Sequence, residues 1–455
     1  MVGALGCRAV ARVLALDVGT SSVRARVFDG SATEGDPARR EYSGEDDPNR
    51  IVELVHEAVN EAQVGDVDAV GTSCFGHSLV ALDGRGRPLT PVLGWRDTRS
   101  ADAADRLLRR LDPDAVHART GCPLHTSFWP AKLAWLTEQE PDVFHRARRL
   151  VSFAEYLYAQ LLETDDVPMS LSVASGTGLL NVHTRAWDEE LLATVGVGEA
   201  LLPRVTDEPL GDWHLAWHVG TCANVGAGCV SRERAALTVG TSGAYRTVYE
   251  TETPMPRRGL FLFLVDERRV VEGGALSDGG NVYRWLGDTL ASADGSLADR
   301  DPDSHGLTFL TLLGGERSPG WHQHAKGALH GLTFSTTPLD IRQAALEGVA
   351  FRFADVAELM PEVEQVVATG GALLRSEDWC QIIADALGRP IAESGVKEAS
   401  LRGAAVLTLE RLGESPPAPA LGRRFEPRVE RAAAYLGARE RQRQLYRVAT
   451  GDETS

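Results

Sequence analysis

The chain of 455 residues is short of lysine: of its 47 basic residues only Lys132, Lys326 and Lys397 are not arginine, and no GxxxxGK[ST] phosphate loop occurs. A phosphate ligand must therefore be held without a P-loop lysine. Six cysteines lie scattered, with no CxxC pair and no metal-ligand spacing, so a zinc site and a disulfide framework are both excluded from the expectation. No apolar run approaches the ~18 residues of a membrane span, and Arg8 and Arg12 interrupt the start, so neither a membrane segment nor a signal peptide is expected. Positive charge is also scarce. A formal net charge of -17 repels nucleic acid and anionic membrane surfaces alike. These absences leave a cytoplasmic protein with a small-molecule ligand, and they leave a homodimer open.

What is present is a phrase and its repeat. LALDVGTSSVRARVFD (14–29) sets Asp17 in an apolar strand beside a turn of small hydroxylated residues, and LTVGTSGAYRTVYE (237–250) repeats Val-Gly-Thr-Ser. Each copy reads as a β-hairpin. A helix is predicted over 51–62, a strand over 68–76, a strand over 364–371, a helix over 376–387 and a packed helix over 430–449, followed by a frayed tail. Strands alternating with helices predict an α/β protein built from two related domains in tandem.

Two such turns facing each other would grip a polyphosphate. Gly19 and Gly240 allow tight backbone, and the amides and hydroxyls of Thr20, Ser21, Thr241 and Ser242 donate to phosphate oxygens. Asp17 needs a cation to offset its desolvation, and a nucleotide's magnesium is the natural one. Thr238 takes its place in the second copy. Gly370 and Gly371, between a strand and a helix, suit close approach to a nucleotide. His322 and His324 form an HxH without a sequence-placed acid and are expected on an exposed loop.

With these motifs stand GTSCFGHSLVALDGRGRPLTPVLGWRDTRS (71–100), RTGCPLH (119–125), GGALSDGGN (273–281), GERSPGW (315–321), TGGALLRSEDWCQIIADALGRPI (369–391) and SLRGAA (400–405). Together, from about Val13 to Tyr446, they resemble the FGGY carbohydrate kinases of the actin-like ATPase superfamily, most closely the gluconokinase-like branch. The resemblance implies two ribonuclease-H-like domains with a ligand cleft between them. The expected division is 10–230, binding sugar, and 231–449, binding ATP, with 450–455 as tail. It implies ATP and Mg2+, a sugar or polyol substrate, Asp17 as the magnesium-side catalytic acid, Gly19–Ser21 and Gly240–Ser242 at the phosphates, and Gly370 and Gly371 on the adenosine side. His77, Trp95, Asp97 and Arg99 would line or buttress the sugar site, with His125 a further candidate.

One stretch departs from the resemblance. AWHVGTCANVGAG (216–228) places Val219 where the family has the aspartate that takes the proton of the sugar hydroxyl. His218, on the opposite face of an extended segment, and Asp212, in a preceding loop, are the alternative bases. The third reading is that no base remains, which makes a catalytically impaired pseudokinase acting through domain closure the competing function. An actin- or chaperone-like ATPase is disfavoured by the sugar-site residues.

Overall fold

Val13–Val18 (β1) and Ser22–Phe28 (β2) pair antiparallel, with Asp17 directly opposite Arg24. The computed structural model that shows this describes residues 10–33, 35–42, 44–290, 295–297 and 300–451. The start of the chain up to residue 9, including Cys7 and Arg8, and the tail beyond Gly451 lie outside them. Ala38–Glu41 (β3) extends the hairpin, and Pro48–Glu61 (α1) covers it. The helix begins where Asp47 accepts the Asn49 amide and proline occupies its first position; Ile51, Leu54, Val55 and Ala58 face the core. Such a cap is worth about 1 kcal/mol. Ala69–Cys74 (β4) runs parallel to β1, and Trp217–His218 (β5) closes a sheet of order β3-β2-β1-β4-β5. Residues 101–161 insert a helical layer on this half.

The second sheet repeats the first. Arg234–Val239 (β6) and Gly243–Glu250 (β7) form its hairpin, with Thr238 opposite Ala244. Phe261–Leu264 (β8), Arg269–Leu276 (β9), Gln365–Thr369 (β10), Ile391–Ser394 (β11) and Leu421–Phe425 (β12) complete the order β8-β9-β7-β6-β10-β11-β12. The predicted strand over 364–371 and the helices over 376–387 and 430–449 appear as 365–369, Glu377–Leu387 (α3) and 432–450. Tandem α/β domains, each led by one copy of the repeated hairpin, are therefore the architecture.

Two short-range features couple the halves. Val219–Gly226 (α2) starts immediately after β5, and Ala399–Arg411 (α4) returns from the second half to lie on it and on the first sheet. The helices touch backbone to backbone: a Cβ on Gly403 would stand 1.8 Å from the Cys222 carbonyl oxygen. At the other rim the edge strand β8 docks on the first half, where the Leu262 amide donates to the Gly121 carbonyl at 2.8 Å. Val13, Ala15 and Phe28 share one apolar cluster with Cys222, Phe261, Phe263, Leu401 and Ala404, so core continues between the sheets.

Candidate active site

The two repeated turns converge on one cavity of about 260 Å³. Gly19, Thr20 and Ser21 line it from one side, Gly240, Thr241 and Ser242 from the other, and Asp17 and Thr238 stand beneath their respective turns. Each turn is closed by its own backbone, the Gly19 amide donating to the Ser22 carbonyl at 3.0 Å and the Gly240 amide to the Ser242 carbonyl at 3.1 Å. Tyr42 Oη donates to the Gly19 carbonyl and braces the first turn.

Asp17 is 2 % exposed, and its compensating cation comes from the chain itself. Arg24 Nη1 lies 2.8 Å from one carboxylate oxygen, and Ser73 Oγ donates to the other at 2.7 Å. A carboxylate oxygen accepts more than one contact, so Asp17, lining the cavity, still fits a magnesium held chiefly through water. Gly370 and Gly371 sit beside the second turn, although they are not among the residues that line the cavity. Gly370 has φ +89° and packs so closely that a Cβ would come 2.5 Å from the Val239 carbonyl oxygen. Only glycine fits there.

Away from the turns, His77, Trp95, Ser127, Phe128, His218, Phe261, Phe263, Arg317 and Trp321 line the wall. His77 and Trp321 both adopt positive φ, 63° and 58°, a strained backbone that clusters at functional sites. Burial holds the His77 imidazole well below its usual value, and the ring sits 4.9 Å from His218. His77 Nδ1 contacts the Gly176 carbonyl and must carry its proton, which leaves Nε2 as an acceptor. In His218 the assignment is reversed: Nδ1 accepts the Gly220 amide at 2.9 Å, so the proton is on Nε2, which is buried and has no partner. One free acceptor and one free donor side by side suit a hydroxyl, which needs both.

His125 contributes less directly. It is buried, pushed down to about 3 by desolvation, and packs edge-on against Trp321 without lining the cavity. Asp97 and Arg99 do not reach the wall either. They pair with each other at 2.5 Å, and the Arg99 guanidinium stacks 4.9 Å over Trp135. A cation that does reach this wall is Arg317, whose Cζ lies 4.3 Å over the Trp95 ring.

The departure at residue 219 has a definite geometry. His218 caps α2 and Val219 is its first residue, so the chain turns into a helix where an extended segment was expected, and both side chains line the cavity. His218 is nonetheless a poor base: its Nδ1 lone pair is committed, and burial with Arg246 and Arg317 nearby pushes it down to about 3. Asp212 is exposed and its backbone pairs with Val70, away from the cavity wall.

Sequence reasoning missed three buried groups here. Arg246 lines the cavity, pushed down to about 10 by desolvation. Arg317 is pushed down to about 9 by the same cause, and Asp278, behind it, is pushed up to about 7 by burial. Arg246 had a signal in the sequence, because it follows the second turn much as Arg24 follows the first.

Among the described residues, two clusters elsewhere bring metal-ligand atoms within 4.8 Å of one another. In Asp303, His305 and Glu347, His305 Nδ1 accepts the Leu307 amide and Nε2 donates to Glu347 at 3.0 Å, so neither nitrogen is free for an ion. In Asp102, Asp105 and His324, the histidine expected on an exposed loop is exposed, and it reaches across to Asp105 of the first half at 2.9 Å.

Residues 12–209 match the N-terminal domain of the FGGY family of carbohydrate kinases, and residues 235–409 match its C-terminal domain. The chain belongs to that family. Its members are ATP-dependent phosphotransferases. The gluconokinase of Bacillus subtilis is 28% identical, with 88% of each chain covered. A glycerol kinase of Trichlorobacter lovleyi is 30% identical over 95% of this chain and 96% of its own. The fold is similar to that of a ligand-bound xylulose kinase of Lactobacillus acidophilus, with TM-score 0.86, 25% identity and coverage of 98% and 99% of the two chains. A gluconate kinase of the same organism gives TM-score 0.85 at 25% identity, with the same coverage. Among the described residues no helix is long and apolar enough to cross a membrane.

Proposed function

We propose that the protein transfers the γ-phosphoryl group of ATP to a hydroxyl of a sugar or sugar acid, gluconate-like in kind, with magnesium escorting the nucleotide in the cytoplasm. The observation that carries the reading is the convergence of both Gly-Thr-Ser turns on one cavity that also holds Asp17 and the His77–His218 pair. The amides and hydroxyls of Gly19–Ser21 and Gly240–Ser242 would bind phosphate oxygens, and Asp17 would hold the magnesium. Gly370 and Gly371 face the adenosine side. His77 and His218 orient the acceptor, Trp95 offers a ring face, and Asp97 and Arg99 stand one layer out. Magnesium, when bound, spreads the charge that develops on the transferred group. The protein's own part is positioning and exclusion of water, which is most of what phosphoryl transfer requires.

Val219 supports a second reading, a relative with impaired turnover that works by binding and domain closure. A missing general base costs about 10²- to 10⁴-fold in rate. Steady-state turnover of Mg-ATP with gluconate, xylulose and glycerol separates the two readings. Rates of roughly 1 to 100 per second with one acceptor support the kinase, and a rate at the background level with every acceptor supports the binding protein.

A further inference from the structure

A lysine stands under the cavity wall. Lys132 sits in the first turn of the helix Trp129–Gln139 and is 1 % exposed. Its Nζ donates to the Ser127 carbonyl at 2.9 Å and to the His77 carbonyl. Both residues line the cavity. Ser127 Oγ donates in turn to the Trp95 carbonyl at 3.4 Å, so one ammonium ties together three stretches of the wall. Stability gives no reason for a cation here. Burial penalises the charged form and pushes Lys132 down to about 7. The positive end of the helix dipole also disfavours an ammonium in the first turn. Among the described residues no carboxylate pairs with it, and Asp97, the acid that acts on it from a distance, is held by Arg99.

What the ammonium supplies is donors at a strained point of the backbone. The residue after His77 is pinned separately: Trp129 Nε1 donates to the Ser78 carbonyl at 2.8 Å, and Ser78 Oγ accepts the Phe153 amide at 3.1 Å. The His77 ring is held by the Gly176 carbonyl. Between these anchors lies the His77 carbonyl, on a residue with φ 63°. A left-handed conformation at a side-chain-bearing residue persists only where its surroundings over-determine it, and Lys132 supplies that constraint from below. Its charge reaches the ring as well. Burial is the first cause that keeps the His77 imidazole neutral, and the Lys132 ammonium acts in the same direction.

We propose that Lys132 is a positioning residue for the acceptor: by bridging the His77 and Ser127 carbonyls, its ammonium locks the turn at His77 and keeps His77 Nε2 a hydrogen-bond acceptor at the cavity wall. Lys132 itself touches no substrate. The proposal rests on the reading of His77 as a group that orients the acceptor hydroxyl, and it assigns the cost of a buried, unpaired ammonium to the geometry of that group.

Nitrogen NMR of the full-length protein carrying isotope-labelled histidine tests it without any ligand. The His77 signals are those that vanish in His77→Asn. They are then followed in Lys132→Met, which keeps most of the side chain's length and loses its donors and its charge. In the native protein His77 is expected to show one protonated and one unprotonated nitrogen from about pH 8 to about pH 5.5, on either side of a free imidazole's value. In Lys132→Met the two nitrogens are expected to move towards a common average as tautomers exchange, or the ring to titrate within that range. Calorimetry reads the consequence: D-gluconate, as the probe, is expected to bind Lys132→Met about 10-fold more weakly, and Mg-ADP to bind both proteins alike. An unchanged His77 signature in folded Lys132→Met overturns the proposal, as does a native His77 that already averages or titrates. So does gluconate affinity that survives the loss of the signature, or Mg-ADP affinity that falls with it. If Lys132→Met does not fold, Lys132→Gln is read in the same way, and failure of both to fold makes the residue structural alone and overturns the proposal. Gluconate that does not bind the native protein bears on the proposed substrate only, because the histidine spectrum contains no ligand.

Discussion

Arg24 Nη1 lies 2.8 Å from Asp17 Oδ2, and Arg24 Nε lies 2.9 Å from Glu398 on the last turn before α4. The acid beneath the first Gly-Thr-Ser turn is thus tied, through one arginine, to the helix that couples the two halves. The pair has a structural share and a chemical share, and the two separate by mutation. Asp17→Asn is expected to abolish turnover and to destabilise the fold by about 3 kcal/mol, the lower end for a broken buried pair, because Arg24 keeps Glu398. The double variant Asp17→Asn with Arg24→Met should recover stability in urea denaturation while turnover stays lost. Recovery of turnover as well would make Asp17 structural only.

Val219→Asp puts a carboxylate on the first turn of α2, at the cavity wall. If the native site lacks its base, turnover with the preferred acceptor should rise by about 10²- to 10⁴-fold, chiefly in kcat. An unchanged kcat in a folded variant would show that another group already takes the proton.

His218 gives a pH signature. Its folded value is far below that of a free imidazole, so the unfolded chain binds the proton more readily. Its share of stability is therefore fully present above about pH 6.5 and is lost as pH falls, by about 1.4 kcal/mol at pH 5.5. Asp278 and Glu155, whose carboxyls burial pushes up to about 7, act with the opposite sign. They cancel when native and His218→Asn proteins are compared. Denaturation between pH 7.5 and 5.5 should show the native protein losing about 1.4 kcal/mol more than the variant. Identical slopes would mean that His218 is accessible to protons in the fold.

Gly403→Ala is expected to destabilise strongly, since the new methyl meets the Cys222 carbonyl oxygen across the α2–α4 contact and backbone cannot yield as a side chain does. A loss of about 1 to 3 kcal/mol or more follows from such overpacking. A melting temperature within 1 °C or so of native would rule out the close approach of these helices.

The fold was legible because its signals are local. The two hairpins, the helical runs over 51–62 and 376–387 and the apolar strands each sit within a few residues. The two Gly-Thr-Ser turns and His77, which line one cavity, stood out as motifs for the same reason. Arg317 and Asp278 were not, because nothing near them in sequence marks them as buried; tertiary packing alone desolvates them. Asp97 and Arg99 look alike whether they serve a ligand or each other, and the structure pairs them. The turn from strand to helix at Val219 was hidden because its cap is a histidine, outside the usual Ser, Thr, Asp and Asn.

Two contacts between the halves differ in strength. The backbone bond from Leu262 to Gly121 is buried and shielded, whereas Asp105 holds Gln323 by a part-buried side-chain contact and His324 by an exposed one. Exposed pairs are worth no more than about 1 kcal/mol and weaken with salt. Any parting of the halves at these contacts should break the Asp105 side before the Leu262–Gly121 bond. Raising ionic strength should ease it on the Asp105 side while leaving the buried bond nearly constant.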